Sequence, residues 1–164
     1  MGTGSGLLAE ALIHAGAEFV YATDSSRIAV SNARLNLEQH YPSDHCVVQY
    51  SNLFDTLSDI LDNEELDTIV WNIPFFPGRA PTGDTIAASM LMPPELLAQF
   101  LTEARAYLRP DGVIIITSHS RGGPLMDPCR VGAKLGYQHE RTYAQETRTG
   151  VQTGMLYVNE LRMK

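Results

Sequence analysis

The chain has 164 residues, enough for one domain with a real hydrophobic core but too few for a catalytic domain joined to a large recognition domain. Its 12 Lys and Arg are outnumbered by 19 Asp and Glu, and this acidic balance disfavours nucleic acid as a partner. No stretch approaches the roughly 20 apolar residues of a membrane span, so we expect a single cytoplasmic domain over residues 1–164 with no membrane partner.

The two cysteines give no sign of a disulfide framework or a metal site. Cys46 and Cys129 lie far apart, with no CxxC pair and no nearby histidines at ligand spacing. We therefore expect two buried free thiols in a reducing compartment, and no metal.

Helix and strand patterns alternate through the first half of the chain. Apolar residues recur at helical spacing over residues 7–15, and Gly16 then favours a helix end. Residues 19–23 are rich in strand formers, and Asp24-Ser25-Ser26 then offers capping side chains to a helix that reaches Leu37. Two further strands are predicted, at residues 46–50 and 66–71.

The second half of the chain completes an α/β pattern. A helix is predicted to begin at Pro93-Pro94-Glu95 and to continue to Leu108, followed by a turn at residues 109–112. Residues 113–117 form an almost wholly apolar strand, which suits a parallel sheet covered on both faces. Residues 137–145 and 155–162 alternate in polarity and predict an antiparallel hairpin across a Thr/Gly-rich turn. The predicted fold is an open α/β sheet, mostly parallel, with a C-terminal antiparallel hairpin.

A glycine loop, Gly2-Thr3-Gly4-Ser5-Gly6, precedes the first helix. Its GxGxG spacing lets the backbone approach a ligand at the N–H groups of a helix. A dinucleotide fingerprint would have its last glycine one position later, at Leu7, so a nicotinamide-dependent enzyme is disfavoured. Asp24, about 20 residues onward at a strand end, could accept hydrogen bonds from both hydroxyls of a ribose. The alternative for Asp24 is an N-cap, a role that Ser25 or Ser26 could take instead.

Four segments of this chain, in their order, resemble the motifs of class I S-adenosylmethionine-dependent methyltransferases. They are Gly2 to Gly6, Asp24, Ser51-Asn52-Leu53-Phe54 and Asn72-Ile73-Pro74-Phe75. Within that superfamily the chain resembles the small-domain enzymes, which include release-factor glutamine methyltransferases and ribosomal-RNA guanine-N2 methyltransferases. The resemblance implies a Rossmann-like sheet and S-adenosyl-L-methionine as cofactor. The cofactor-binding residues that we predict are Gly2, Thr3, Gly4, Gly6, Asp24, Ser25, Asn52, Leu53 and Asn72. For Asn52 and Leu53, which could flank an adenine ring, an ordinary turn is the alternative.

The segment Asn72-Ile73-Pro74-Phe75 provides the candidate catalytic residues. Methyl transfer from a sulfonium is an in-line displacement that needs no metal, so placement of the acceptor nitrogen dominates. The Asn72 side-chain oxygen and a backbone carbonyl around Ile73 could each accept one N–H, and Phe75 could stack on a planar acceptor. In the resembling enzymes the motif is usually Asn-Pro-Pro followed by an aromatic residue, and Ile73 in place of the first proline loosens the backbone. The alternative is a strand that ends at a polar-Pro turn, with Phe75 and Phe76 in the core.

Three other side chains receive a weaker interpretation. His119 follows the strand at residues 113–117, where we expect a hydrogen-bonded rim residue more readily than a catalytic base. Arg79 and Arg121 could bind an anionic substrate group, but we expect ordinary surface arginines.

The resemblance also implies a strand that this sequence lacks. In these enzymes a central first strand directly precedes the glycine loop and usually carries an acidic residue two positions before it. We therefore expect a sheet without its usual first strand, because the natural protein is longer, because a partner or second copy supplies a strand, or because another segment closes the gap.

The function that we predict is S-adenosylmethionine-dependent N-methylation of a planar amide or amine nitrogen. A protein or small-molecule acceptor is favoured over a nucleobase of RNA on charge grounds. The alternative is a non-catalytic methyltransferase-like partner or scaffold subunit, whose open sheet side docks a second protein.

Overall fold

The computed structural model describes residues 1–41, 45–61, 65–149 and 152–164, which form two compact α/β units. Unit 1 is Met1–Asn63 and unit 2 is Glu64–Lys164. The elements of unit 1 are α1 (Leu7–His14), β1 (Val20–Asp24), α2 (Arg27–Leu37), β2 (Cys46–Tyr50) and α3 (Leu57–Ile60). Those of unit 2 are β3 (Leu66–Asn72), β4 (Phe76–Pro77), α4 (Thr85–Met90), β5 (Leu91–Met92), α5 (Pro94–Glu103), β6 (Leu108–His119), α6 (Pro128–Lys134), β7 (Tyr137–Thr149) and β8 (Gln152–Met163).

In unit 1 a pair of parallel strands packs against α1 and α2. β1 and β2 run in register from Val20 opposite Cys46 to Asp24 opposite Tyr50. The core is made by small and branched apolar residues from both helices and both strands, namely Ala9, Val20, Ala22, Val30, Ala33, Leu37, Cys46 and Val48. The Arg34 guanidinium also donates two hydrogen bonds to the Val48 carbonyl, which ties α2 to β2. The polar end of β1 is thereby held at one edge of a packed unit.

In unit 2 four strands form a mixed sheet in the order β3-β6-β8-β7. β3 and β6 are parallel, whereas β8 is antiparallel to both β6 and β7. Leu97, Phe100 and Leu101 of α5 are fully buried, and the Phe100 ring lies 4.5 Å from that of Trp71, centroid to centroid. Full burial of such side chains stabilises the fold by roughly 1.5–3 kcal/mol each. This packing holds α5 against β3, whose end carries polar residues described below.

The predicted α/β class is confirmed, with parallel strands and a C-terminal antiparallel hairpin. Within the described residues no strand precedes α1, and β1 pairs with β2 alone. Cys46 and Cys129 are buried free thiols, as predicted. None of the helices in the described ranges is long and apolar enough to span a membrane.

Several element boundaries differ from the predictions. The helix predicted to reach Leu108 ends at Glu103, because a 3₁₀ turn follows and β6 already begins at Leu108. The predicted turn at residues 109–112 is a local irregularity within β6, which pairs with β3 at Leu108 and again at Val113. The hairpin strands are longer than expected, and Gly150 and Val151 in the predicted turn lie outside the described residues.

Candidate functional site

The glycine loop has the tight backbone that the sequence predicts. Gly4 has φ 57° and Gly6 has φ 92°, left-handed values that side-chain-bearing residues rarely adopt. A Cβ at Gly6 would lie 3.0 Å from the Leu37 side chain, and the Asn36 amide donates to the Ser5 carbonyl at 2.8 Å. Contacts with α2 therefore hold the loop in place.

The Asp24 carboxylate faces the glycine loop. Its Oδ2 accepts the Gly4 backbone N–H at 2.9 Å, and its Oδ1 accepts the Ser26 backbone N–H at 2.8 Å. Ser26, not Asp24, caps α2 by accepting the Ala29 N–H. Because each carboxylate oxygen has two lone pairs, each can accept a further hydrogen bond from a ligand hydroxyl. The charge and geometry of Asp24 thus fit a group with two adjacent hydroxyls, as in a ribose.

Thr3 gives a second sign of a ligand site in this loop. Its backbone N–H donates to the Thr23 carbonyl at 2.9 Å, which joins the loop to the end of β1. Its buried hydroxyl oxygen has no hydrogen-bond partner among the described residues. A buried polar atom of this kind is usually satisfied by a ligand or water. Ser25 lies exposed beside Asp24, and its predicted cofactor contact stays a prediction.

Asn52 and Leu53 differ in their exposure. Asn52 is exposed, and its amide donates to the Asp55 carboxylate at 3.4 Å. Leu53 has φ 48° and is only 4% exposed, so its side chain belongs mainly to the core. The Ser51 hydroxyl stabilises this turn by donating to the Leu53 carbonyl at 2.8 Å. Contacts of Asn52 and Leu53 with an adenine remain predictions, and little of the Leu53 side chain is accessible for one.

Asn72, the last residue of β3, is exposed and held by a neighbouring strand. The Thr117 hydroxyl of β6 donates to the Asn72 Oδ1 atom across 2.5 Å. The Ile73 side chain is 2% exposed, so it is part of the core and only its backbone could contact an acceptor. Pro74 is half-buried between Ile73 and Phe75. The roles predicted for these residues in binding an acceptor remain predictions.

Phe75 and Phe76 are half-buried beside an imidazole. Their ring centroids lie 5.7 and 5.9 Å from that of His119. The backbone of Gly122 approaches the Phe75 carbonyl so closely that a Cβ there would lie 2.7 Å from the oxygen. The Arg121 guanidinium lies 5.2 Å from the centre of the Phe76 ring. Both phenylalanines therefore contact residues at and just after the end of β6, and both side chains remain partly exposed.

Both nitrogens of His119 are engaged, which argues against a role as base. Nδ1 accepts the Arg121 backbone N–H at 3.3 Å, so Nε2 carries the proton and donates to the Thr147 hydroxyl at 2.9 Å. The Thr147 hydroxyl in turn donates to the Gly154 carbonyl at 3.2 Å. Burial, and secondly the nearby Arg121, lower the pKa of His119 below 6.5. A neutral imidazole that links β6 to the hairpin agrees with the predicted hydrogen-bonded rim residue.

Unit 2 also contains a polar cavity of about 340 Å³. Its lining is Ser118, His119, Ser120, Gly123, Pro124, Asp127, Arg130, Arg141 and Tyr157. Arg141 is already paired, with Asp127 at 3.3 Å and with the Tyr157 ring at 3.7 Å. Arg79, elsewhere in the unit, forms an exposed ion pair with Glu95, as expected of a surface arginine. Across the described ranges no three His, Cys, Asp or Glu side chains form a group suited to a metal ion.

Thr117 and Thr147 were missed by sequence reasoning. Thr117 lies directly opposite Asn72 in the β3–β6 ladder, so the strand register would have identified it. Thr147 lies opposite Gly154 in the hairpin, beyond the predicted end of its strand at residue 145. No local pattern in the sequence connects it with His119.

Comparisons with known proteins associate this chain with methyltransferases. Residues 1–75 match the family model described as ribosomal protein L11 methyltransferase (PrmA). The ribosomal protein L11 methyltransferase of Anoxybacillus flavithermus is 33% identical over 115 residues, which are 70% of this chain and 29% of that protein. The chain therefore spans less than a third of that relative's length.

Solved structures share the fold over nearly the whole chain. The ribosomal protein L11 methylase of Lactobacillus delbrueckii subsp. bulgaricus has a TM-score of 0.63 at 23% identity, covering 98% of this chain and 67% of that one. Magnesium protoporphyrin IX methyltransferase from Synechocystis, with bound S-adenosylmethionine, has a TM-score of 0.59 at 17% identity, with the same two coverages of 98% and 67%. This chain has the fold of class I S-adenosylmethionine-dependent methyltransferases, so the predicted fold class is confirmed. The narrower resemblance to small-domain enzymes is not confirmed, because the matched relatives are named as L11 methyltransferases.

Proposed function

We propose that this chain is an S-adenosylmethionine-dependent N-methyltransferase that acts on a nitrogen of a protein. The observation that carries the proposal is the pair of hydrogen bonds that direct Asp24 toward the glycine loop, at 2.9 Å from Gly4 and 2.8 Å from Ser26. A carboxylate oriented in this way, beside a backbone free of side chains, suits the ribose of the cofactor. The similarity to methyltransferases over residues 1–75, which include the whole loop, supports the same assignment.

S-adenosylmethionine, when bound, would supply a methyl group on a positively charged sulfur. The chain's own contribution is placement, since transfer requires the acceptor nitrogen close to the methyl carbon and in line with the C–S bond. We assign to Asn72 the acceptance of one N–H from the acceptor through Oδ1, which also stabilises the positive charge that develops on nitrogen. Phe75 would pack against the acceptor, with its ring braced by His119.

The acceptor that we propose is ribosomal protein L11, on the basis of the names of the relatives. An acceptor of this kind would place the reaction in the cytoplasm. The net charge of −7 agrees with a protein or small-molecule acceptor better than with RNA, because a phosphate backbone would be repelled.

The experiment that tests this function measures methyl transfer from labelled S-adenosylmethionine to purified L11. We expect the mass of L11 to rise by one or more methyl groups, and we expect Asn72→Ala to lower kcat roughly a hundredfold with little effect on cofactor affinity. Binding of S-adenosylhomocysteine without transfer to L11 would refute L11 as acceptor. Transfer to RNA alone would refute a protein acceptor altogether.

The rival proposal is a non-catalytic partner or scaffold subunit. The observation in its favour is that β1 pairs only with β2, and β3 only with β6, among the described residues. In the strand order β1 and β3 therefore lie at the edges of their sheets, the position at which another chain can add a strand. Light scattering during size-exclusion chromatography discriminates, because a monomeric chain that binds S-adenosylhomocysteine disfavours this alternative, whereas an obligate complex without ligand binding supports it.

A further inference from the structure

A hydrogen bond joins the side chains of Asn72 and Thr117, which lie on adjacent parallel strands. They occupy opposing positions in the β3–β6 ladder, and 2.5 Å separates Asn72 Oδ1 from Thr117 Oγ1. Asn72 is exposed, whereas Thr117 is half-buried among the residues of β6. The more exposed member of the pair is thus hydrogen-bonded to the better-packed one.

The direction of this hydrogen bond follows from its atoms. Oδ1 of an asparagine carries no hydrogen, so the Thr117 hydroxyl must donate. The terminal torsion of an asparagine side chain is broad, whereas the branched threonine is restricted at χ1. Consequently the hydroxyl determines which way the Asn72 amide faces. One lone pair of Oδ1 is used by Thr117, and one remains for a ligand N–H.

We propose that Thr117 is a positioning residue that holds the Asn72 amide ready to accept one N–H from the methyl acceptor. This inference rests on the proposed function, because Asn72 touches the acceptor only if the chain is an N-methyltransferase. It also restricts the acceptor at Asn72 to a nitrogen that still bears at least one hydrogen. Thr117 itself acts through Asn72 and does not touch the acceptor.

The test compares one substitution that removes the Thr117 hydroxyl with another that retains it. Thr117→Val keeps the branched shape and removes the donor, whereas Thr117→Ser keeps the donor. We expect Thr117→Val to lower kcat for L11 about tenfold, the effect of one hydrogen bond, while the Kd for S-adenosylhomocysteine changes less than about twofold. Thr117→Ser should restore kcat to within about threefold of the unsubstituted chain. Equal losses in both variants would overturn the proposal.

A double-substitution cycle separates positioning from a general structural effect. If Thr117 acts only through Asn72, Thr117→Val should cause no further loss of kcat in a chain that already carries Asn72→Ala. A tenfold loss in that background as well would show that Thr117 supports the site by another route, and the proposal would be wrong.

A readout independent of catalysis keeps this inference separate from the proposed function. In ¹⁵N relaxation measurements the Asn72 side-chain amide should be ordered in the unsubstituted chain and in Thr117→Ser, and mobile in Thr117→Val. Failure of all methyl transfer together with this pattern would refute the function but retain the anchoring of Asn72. An amide equally mobile in all three chains would refute the anchoring itself.

Discussion

Asp24→Asn removes the charge of the proposed ribose-binding residue with almost no change of shape. Asp24 presents two acceptor oxygens, each already bonded to one backbone N–H, at 2.9 Å from Gly4 and 2.8 Å from Ser26. Asparagine replaces one oxygen by an NH₂ group, so one of these N–H groups loses its acceptor and one ribose hydroxyl loses its partner.

The expected magnitude follows from the loss of one charged hydrogen bond to the ligand. Such a bond contributes about 1.5–3 kcal/mol, so the Kd for S-adenosylhomocysteine should rise roughly 10- to 150-fold. Isothermal titration calorimetry measures this Kd directly, and circular dichroism checks that the variant is folded. Asp59→Asn is the matched control, because it neutralises an exposed carboxylate of the same unit.

The ribose assignment would be refuted if folded Asp24→Asn bound S-adenosylhomocysteine within twofold of the unsubstituted chain. A loss of affinity of the same size in Asp59→Asn would also contradict it, since the effect would then be one of overall charge.

Three further outcomes are expected in unit 2. The pKa of His119 in the folded chain lies below 6.5, so folding favours the neutral imidazole. The contribution of His119 to stability should therefore be complete above pH 6.5 and should be lost as the pH falls below that value. Urea unfolding at several pH values should show a smaller loss for His119→Asn, and an identical pH dependence would contradict the assignment. Asn159→Ala should lower the free energy of unfolding by roughly 2–4 kcal/mol, measured by the same urea denaturation. The buried Asn159 amide forms hydrogen bonds with the Ile116 carbonyl, the Ser118 hydroxyl and the Arg141 guanidinium, and all of them would be lost. Gln138→Ala, at an exposed position, is the control. Gly154→Ala should reduce kcat for L11 without changing cofactor affinity, since its Cβ would lie 2.3 Å from the His119 ring that braces Phe75; unchanged kcat would argue against that support.

Local signals were sufficient for most of the fold. The capping serine at residue 26 and the apolar face that follows it predict α2, and a second apolar face predicts α5. The alternation of polarity in β7 and β8 predicts the C-terminal hairpin, and the structure contains all of these elements. The short elements β4, β5 and α4 were not predicted, because two strands of two residues and a helix of six give too little periodicity.

The candidate site was predictable where one residue determines the backbone or the charge. Gly4 and Gly6 adopt left-handed conformations, and Asp24 faces them, as the spacing suggested. Leu53 was harder to interpret. The sequence suggested that its side chain contacts a ligand, whereas in the structure the residue has a positive φ and its side chain is buried. Thr117 required the register of two strands far apart in the chain, which no local pattern provides.

A crystal structure of this chain with S-adenosylhomocysteine is the decisive test of the ribose-binding role of Asp24. We predict that both ribose hydroxyls lie within about 3 Å of the Asp24 carboxylate oxygens, over the glycine loop at residues 2–6. A nucleoside bound elsewhere, or an Asp24 side chain turned away from the ribose, would contradict that role.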